Sequence, residues 1–249
     1  MQYTSERIMP EFYNSKREYI LFRMHIESYL YLSESVKGKK VLDLGCGLGY
    51  GSKILAGNAS SVIGVDVSSE SIQTASKKYF CPNLSYRSVP PADIKPLPFD
   101  DESFDVVVTF QVLEHLIDPE FFISQLKRVL KQDGILFIAT PNRDSRLLKI
   151  QHPWNHHHIK EYSFEEVDGL CRKEFKYVSL YGLTLKKKYS LQEKSRVQSL
   201  SMLSLPFTLK LIPNKIRMKL MSSVWNLANM RKNISVFPLW NLKRKTLFV

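Results

Sequence analysis

The sequence of 249 residues contains only three cysteines, and no apolar run in it approaches the roughly 18 residues of a bilayer span. The cysteines, Cys46, Cys81 and Cys171, are too few and too scattered for a disulfide framework, so a reducing, cytoplasmic setting is expected. The polar first residues argue against a secretory signal. Neither an internal repeat nor a low-complexity tract is present. These absences favour an ordinary globular protein of one domain or two small ones.

Acidic residues are almost absent from the last quarter of the chain. Residues 186–249 contain 14 Lys and Arg and one acidic residue, Glu193, whereas residues 1–185 contain 22 basic and 23 acidic residues. The net charge of +12 therefore arises from the C-terminal segment, and such an asymmetry says more about partners than about fold. Within that segment basic residues alternate with apolar ones, as at Lys210, Lys215, Arg217 and Lys219. The pattern suits an anionic acceptor, peripheral contact with a membrane or RNA; a helical cap with solvated lysines is the plainer interpretation.

Apolar runs alternate with helix-length segments over the first two thirds of the sequence. The predicted strands are 41–44, 61–67, 84–89, 104–110 and 134–140, with helices at 14–35, 68–80 and 119–131. This alternation predicts an α/β fold with a Rossmann-like, mostly parallel sheet and helices on both faces. A sixth strand is expected at 177–185 and a short last one at 246–249. Between them a basic, partly helical insertion is expected.

A glycine-rich turn follows the first predicted strand, in the sequence VLDLGCGLGYG at 41–51. Glycines at 45, 47 and 49 allow the backbone to turn tightly and to approach a ligand where any Cβ would collide. The spacing is GxGxG. A nicotinamide-binding fingerprint needs a third glycine at residue 50, which is Tyr50, so a dinucleotide cofactor is the weaker interpretation.

This stretch resembles motif I of class I S-adenosylmethionine-dependent methyltransferases of the methyltransferase domain 11 type, and weaker motifs follow in the family's order to about residue 185. The resemblance implies S-adenosylmethionine as the cofactor and a role for Asp66, at the end of the second strand, in binding the ribose hydroxyls. It places Asp93 and Ile94 at the adenine and Gln111 beside the methionine part. The implied cofactor-binding residues are Asp43, Gly45, Gly47, Gly49, Asp66, Val67, Asp93, Ile94 and Gln111. For Asp43, a purely structural role near the turn is an equal alternative.

Two histidines are candidate bases, because imidazole titrates near working pH. His158 matches a histidine-bearing loop of the family and is the first candidate; His115 is the second. Some relatives bind a divalent metal through Glu-x-x-Glu-His, but the first position here is Gln111, a poorer ligand for a hard cation. Adjacent side chains such as those of 156–158 rarely converge on one ion. No metal is therefore expected.

The expected domains are an N-terminal helical lid at 1–36, a cofactor-binding core at 37–185 and a basic cap at 186–249. The segment 6–10 (ERIMP) also resembles relatives from bacterial surface-glycan gene clusters. With the basic tail, this favours methyl transfer to a small-molecule, sugar or lipid-linked glycan acceptor that carries negative charge. The alternatives are an RNA methyltransferase and a non-catalytic cofactor-binding or membrane scaffold protein, with a nicotinamide oxidoreductase a distant third.

Overall fold

The computed structural model describes residues 16–183 and 187–230. These residues divide into two compact units. The first unit comprises residues 16–113, 117–139 and 170–176, and the second comprises residues 114–116, 140–169, 177–183 and 187–230. The 6–10 segment and the strand expected at 246–249 lie outside the described residues.

A five-stranded parallel sheet organises the first unit. Its strands are β1 Lys40–Leu44, β2 Ser61–Asp66, β3 Leu84–Ser88, β4 Phe104–Phe110 and β5 Leu130–Ala139. Their order is β3-β2-β1-β4-β5, and every neighbouring pair is parallel. The order reverses between β1 and β4, and in open α/β sheets the carboxyl ends of two such strands flank the ligand-binding crevice. The predicted Rossmann-like fold class is confirmed.

The central strands β1 and β4 are buried along almost their whole length because the sheet is covered on both faces. Four helices of this unit are α1 Lys16–Leu32, α2 Tyr50–Leu55, α3 Ser69–Lys78 and α4 Pro119–Val129. Side-chain oxygens of Ser68 and Asp118 accept hydrogen bonds from first-turn amides of α3 and α4 and so fix where these helices begin. Asp118 therefore caps α4.

Two strand predictions differ from the structure. Residues 177–183 form no strand, and residues 184 and 185 lie outside the described part of the chain. Tyr177 and Tyr181 are more than 80% exposed; aromatic content favours a strand only where a neighbouring strand pairs with the backbone. The fifth strand begins at Leu130, four residues earlier than predicted, because Leu130 pairs with Phe104 before a register shift.

The second unit is mainly helical. It contains α5 Arg143–Arg146, the start of α6 Phe164–Arg172, and the long helices α7 Lys187–Thr208 and α8 Asn214–Met230. The buried amide of Gln151 donates to Ser201, Ser204 and Thr208 of α7, so this helix is joined to the 140–169 segment by a satisfied polar network. Among the described helices, none has the length and apolarity that a bilayer crossing requires.

Candidate active site

The glycine turn after β1 adopts backbone angles that favour glycine. Gly45, Gly47 and Gly49 have φ values of +82°, +53° and +82°. A Cβ on Gly45 would lie 2.3 Å from Cγ2 of Val112, in the loop after β4, so the two loops touch at the point where strand order reverses. A Cβ on Gly47 would have no described heavy atom within 4 Å. The turn is therefore packed at Gly45 and open at Gly47.

The backbone amides of this turn are committed to the protein. Those of Gly45 and Cys46 donate to the carbonyl oxygen of Val65, and that of Gly47 donates to Oδ2 of Asp66 at 3.0 Å. A pyrophosphate is bound mainly by such amides. S-adenosylmethionine carries no phosphate, so this turn fits it better than a dinucleotide.

Asp66 stands at the carboxyl end of β2, as the sequence predicts. Besides the bond from Gly47, its Oδ1 accepts from the amide of Ser68 at 2.8 Å. The side chain thus connects the glycine turn to the start of α3. A carboxylate oxygen has more than one acceptor position, so Asp66 retains capacity for hydroxyl donors.

Asp43 is completely buried in β1. Its two oxygens accept hydrogen bonds from Tyr29 of α1 at 3.1 Å and from Ser52 of α2 at 2.6 Å. Burial raises the pKa of Asp43 to about 6, against the lowering effect of these two bonds. The geometry favours the structural role that the sequence left open for this residue.

The other predicted cofactor residues follow strands of the same unit in the chain. Val67, directly after β2, and Ile94, six residues after β3, are each 60% exposed. One oxygen of Asp93 accepts from the amide of Ile117 at 2.8 Å. Gln111, directly after β4, has φ +58°, and its backbone amide donates to the carbonyl oxygen of Ala139 at 2.7 Å. Val67 and Ile94 thus each present apolar surface to solvent, and the backbone is strained at Gln111 where β4 ends.

The two candidate bases lie together in the second unit. The rings of His115 and His158 meet edge to face, with centroids 5.0 Å apart. Nδ1 of His115 lies 3.1 Å from the carbonyl oxygen of His157, and Nδ1 of His158 lies 2.8 Å from Oε1 of Glu161. Both acceptors require a protonated Nδ1, so in each neutral ring Nε2 is the basic nitrogen.

Glu114 completes this cluster and is 1% exposed. Its Oε2 accepts from Thr140 at 2.9 Å, whereas Oε1 has no hydrogen-bond partner among the described residues. Burial raises the pKa of Glu114, opposed by His158 and His115. One donor atom from each of these three residues lies within 4.8 Å of the other two, which is compact enough for a cation. The absence of a metal stays a prediction.

Sequence reasoning missed two residues of this site. These are Glu161 and Arg146. Glu161 is buried, contacts His158 and accepts two hydrogen bonds from Arg146. The guanidinium carbon of Arg146 lies 4.6 Å from the ring centroid of Trp154. Burial by itself would raise the pKa of Glu161, but the hydrogen bond from His158 and the charge of Arg146 hold it below its ordinary value. The only signal in the sequence is the spacing of three residues between His158 and Glu161.

Comparisons with known proteins agree with the geometry. The family model described as "Methyltransferase domain" matches residues 42–138. A Mycolicibacterium smegmatis protein named "Probable S-adenosylmethionine-dependent methyltransferase" is 35% identical over 167 residues, which are 67% of this chain and 62% of that protein. A "Ubiquinone biosynthesis O-methyltransferase" of Glaesserella parasuis is 36% identical over 115 residues, 44% of this chain and 48% of its own length.

A solved structure of a Mesorhizobium loti S-adenosylmethionine-dependent methyltransferase shares the fold, with a TM-score of 0.56 and 14% sequence identity. The similarity covers 72% of this chain and 93% of that one. The chain thus spans less than two thirds of the two curated relatives and most of the solved structure.

Proposed function

We propose that this chain, which belongs to the class I S-adenosylmethionine-dependent methyltransferases through its domain at residues 42–138, methylates an oxygen atom of an anionic or lipid-linked acceptor. Two observations support the proposal, each within one unit: the glycine turn after β1 is open at Gly47, and a largely buried cluster in the second unit holds His158 and His115. The relative named for O-methylation in ubiquinone biosynthesis supports oxygen as the acceptor atom.

The cofactor supplies a methyl group on a positively charged sulfur, which is already a strong electrophile. The protein's task is to orient the acceptor in line with the carbon–sulfur bond and to remove the hydroxyl proton as the methyl is transferred. We assign ribose binding to Asp66, stacking contacts to Val67 and Ile94, and proton removal to Nε2 of His158, with His115 as the second candidate. An acceptor that is an amine bound in its neutral form would need no such base.

The exposed side of α7 and α8 supports an acceptor held at a membrane. We define the apolar–lysine surface as the exposed residues Leu203, Phe207, Leu211, Ile216 and Leu220 with Lys210, Lys215 and Lys219. Leu211, between the helices, is 91% exposed. No acidic residue occurs in the sequence from 194 to 230. Exposed aliphatic side chains interspersed in the sequence with lysines fit the interface of an anionic bilayer, where each basic residue contributes about 1 kcal/mol.

RNA is the rival partner for this surface. RNA-binding surfaces use aromatic side chains for base stacking, and Phe207 is the one exposed aromatic of the apolar–lysine surface. Aliphatic side chains dominate the surface, which favours lipid over nucleic acid. A polyprenyl-linked or otherwise lipid-linked glycan is the acceptor class that combines this surface with the sequence's resemblance to glycan-cluster enzymes.

A labelled-methyl experiment tests the acceptor. The purified protein is incubated with methyl-labelled cofactor and a membrane-containing cell extract, and the products are partitioned between organic and aqueous phases. We expect label in the organic phase. Ribonuclease-sensitive label in the aqueous phase would instead indicate RNA, and aqueous label that resists ribonuclease would indicate a soluble acceptor.

Flotation with vesicles tests the surface separately. Vesicles of phosphatidylglycerol should bind the wild type, and a triple variant with Lys210, Lys215 and Lys219 changed to Gln should bind much less. The matched control changes three exposed lysines of the first unit, Lys37, Lys39 and Lys77, to Gln. Equal loss of binding in both triple variants would mean that net charge alone, and not this surface, drives association.

A further inference from the structure

The buried pair of His158 and Glu161 resembles a base and its orienting carboxylate. Nδ1 of His158 lies 2.8 Å from Oε1 of Glu161, and the two side chains are 8% and 0% exposed. An ionised carboxylate only accepts hydrogen bonds, so Nδ1 carries a proton. In the neutral imidazole, Nε2 then holds the lone pair. The contact thereby selects one tautomer and one ring orientation.

Arg146 keeps Glu161 ionised in this buried position. Its Nε donates to Oε2 at 2.8 Å and its Nη2 to Oε1 at 3.2 Å, a two-point contact that fixes the plane of the carboxylate. The stacking of Arg146 on Trp154 holds the guanidinium in turn. A carboxylate buried without such a partner would take up a proton and could then donate to His158, which would reverse the tautomer.

We propose that Glu161 is a positioning residue for methyl transfer, which holds His158 as the Nδ1-protonated tautomer and stabilises its cationic form, with Arg146 as the support of that carboxylate. The inference rests on the proposed function, in which His158 is the base. Neither Glu161 nor Arg146 contacts the acceptor in this proposal; both act through the imidazole. Orienting carboxylates of this kind serve the histidine of Ser-His-Asp enzymes.

The transfer step balances in atoms and charge. The acceptor oxygen forms its new bond to the methyl carbon while the carbon–sulfur bond breaks and its electron pair stays on sulfur. The hydroxyl proton passes to Nε2 of His158. One positive charge leaves sulfur and one appears on the imidazole, beside the Glu161 carboxylate.

Other charged groups of the second unit explain why this carboxylate matters. Arg146 donates to Glu161 and Arg217 donates to the backbone carbonyl oxygen of His158, so both cations contact the residues of this pair. Burial raises the pKa of Glu114, the other buried carboxylate of the cluster, and no hydrogen bond joins its carboxylate to the His158 ring among the described residues. Glu161 is the buried carboxylate in direct contact with the ring.

Nitrogen NMR of the wild-type protein labelled at its histidine rings tests the tautomer without any acceptor. Under conditions where His158 is neutral, we expect a pyrrole-type shift at Nδ1 and a pyridine-type shift at Nε2, assigned by loss of the signals in His158→Gln. The opposite pattern would overturn the inference whether or not methyl transfer occurs.

Kinetics of methyl incorporation from labelled cofactor into the extract test the consequence. Glu161→Gln should lower the maximal rate about tenfold or more, with an unchanged Kd for S-adenosylmethionine, and should give a mixed tautomer. The matched control is Glu174→Gln on the surface of the first unit. A Glu161→Gln rate within twofold of wild type would contradict the inference. If Glu161→Gln does not fold, Arg146→Lys keeps the charge but loses the two-point contact, and should lower the rate partially.

The two proposals fail in different ways. No methyl incorporation by the wild type under any condition would remove the proposed function and leave the tautomer result standing. Normal incorporation by Glu161→Gln would remove only the positioning role.

Discussion

The guanidinium of Arg217, in α8, donates a 2.8 Å hydrogen bond to the backbone carbonyl oxygen of His158. The same guanidinium also donates to the carbonyl oxygens of Pro153 and Asn155, and the side chain is completely buried. The histidine loop is therefore fixed from both sides, by Arg217 through its backbone and by Glu161 through the imidazole.

Replacing Arg217 with Met should loosen this loop. The buried carbonyl groups would lose their donor, at a cost of roughly 1–3 kcal/mol for each group left unpaired. We expect lower stability in urea unfolding and a slower methyl transfer rate, with unchanged cofactor affinity, because the predicted cofactor residues belong to the first unit. Lys219→Met, at an exposed position of the same helix, is the control. Equal effects of the two variants would assign the loss to charge alone.

Two glycine variants should separate folding from cofactor binding. Gly45→Ala should destabilise the fold by about 1–3 kcal/mol, because its Cβ would collide with Val112. Part of that loss should return in the double variant with Val112→Ala. Gly47→Ala should lower stability only by the backbone strain, roughly 1–2 kcal/mol, because its Cβ would meet no described protein atom. The same Cβ would occupy the open space assigned to S-adenosylmethionine, so cofactor binding should weaken strongly. If calorimetric titration showed that Gly47→Ala binds S-adenosylmethionine with wild-type affinity, this placement of the cofactor would be contradicted.

Asp66→Ala should weaken cofactor binding by one or two charge-assisted hydrogen bonds, roughly 1.5–3 kcal/mol each. Because Asp66 also accepts from Gly47 and Ser68, part of the effect could come from the loop. Asp66→Asn keeps one acceptor oxygen, so its affinity for S-adenosylmethionine should lie between that of the wild type and that of Asp66→Ala. A dissociation constant unchanged in both variants would rule out the ribose assignment.

The buried Asp43 should make stability depend on pH. Its pKa rises from 3.8 to about 6 on folding, so the folded state holds the proton more tightly than the unfolded state. Stability is therefore lost as pH rises from 3.8 towards about 6, by about 3 kcal/mol at 1.36 kcal/mol for each pKa unit. Urea unfolding of wild type and Asp43→Asn across this range measures it. The decrease should be about 3 kcal/mol larger in the wild type than in Asp43→Asn, in which Glu114 still titrates. Parallel profiles would contradict the assignment to Asp43.

The sequence predicted the parts of the fold that local pattern determines. Strand β4 was placed at its observed residues because six of its seven positions are apolar or β-branched and polar turns flank it. The glycine turn was recognisable because positive φ demands glycine, and the three glycines at 45, 47 and 49 all have it. The position of Asp66 at the end of β2 was predictable because that strand has a clear apolar pattern, and its ribose-binding role stays a prediction.

Contacts between distant segments escaped prediction. The sequence grouped Arg217 with three lysines as a basic surface residue, but its acceptors are backbone carbonyls about sixty positions away in the chain, which no local pattern reveals. The roles of Arg146 and Glu161 depend on a contact between the four-residue helix α5 and the irregular loop before α6, and neither segment is long enough or regular enough to show a periodic pattern. The sixth strand was expected from composition, although a strand exists only where a partner pairs with it.

Turnover of S-adenosylmethionine to S-adenosylhomocysteine in the presence of the membrane fraction tests the central claim most directly. Mass spectrometry of the product should show many equivalents formed for each wild-type protein molecule, and far fewer for Gly47→Ala and His158→Ala. For His158→Ala, cofactor binding should remain close to that of the wild type. Tight cofactor binding by the wild type with no product beyond one equivalent, in membrane and soluble fractions alike, would contradict the account and indicate a non-catalytic cofactor-binding protein.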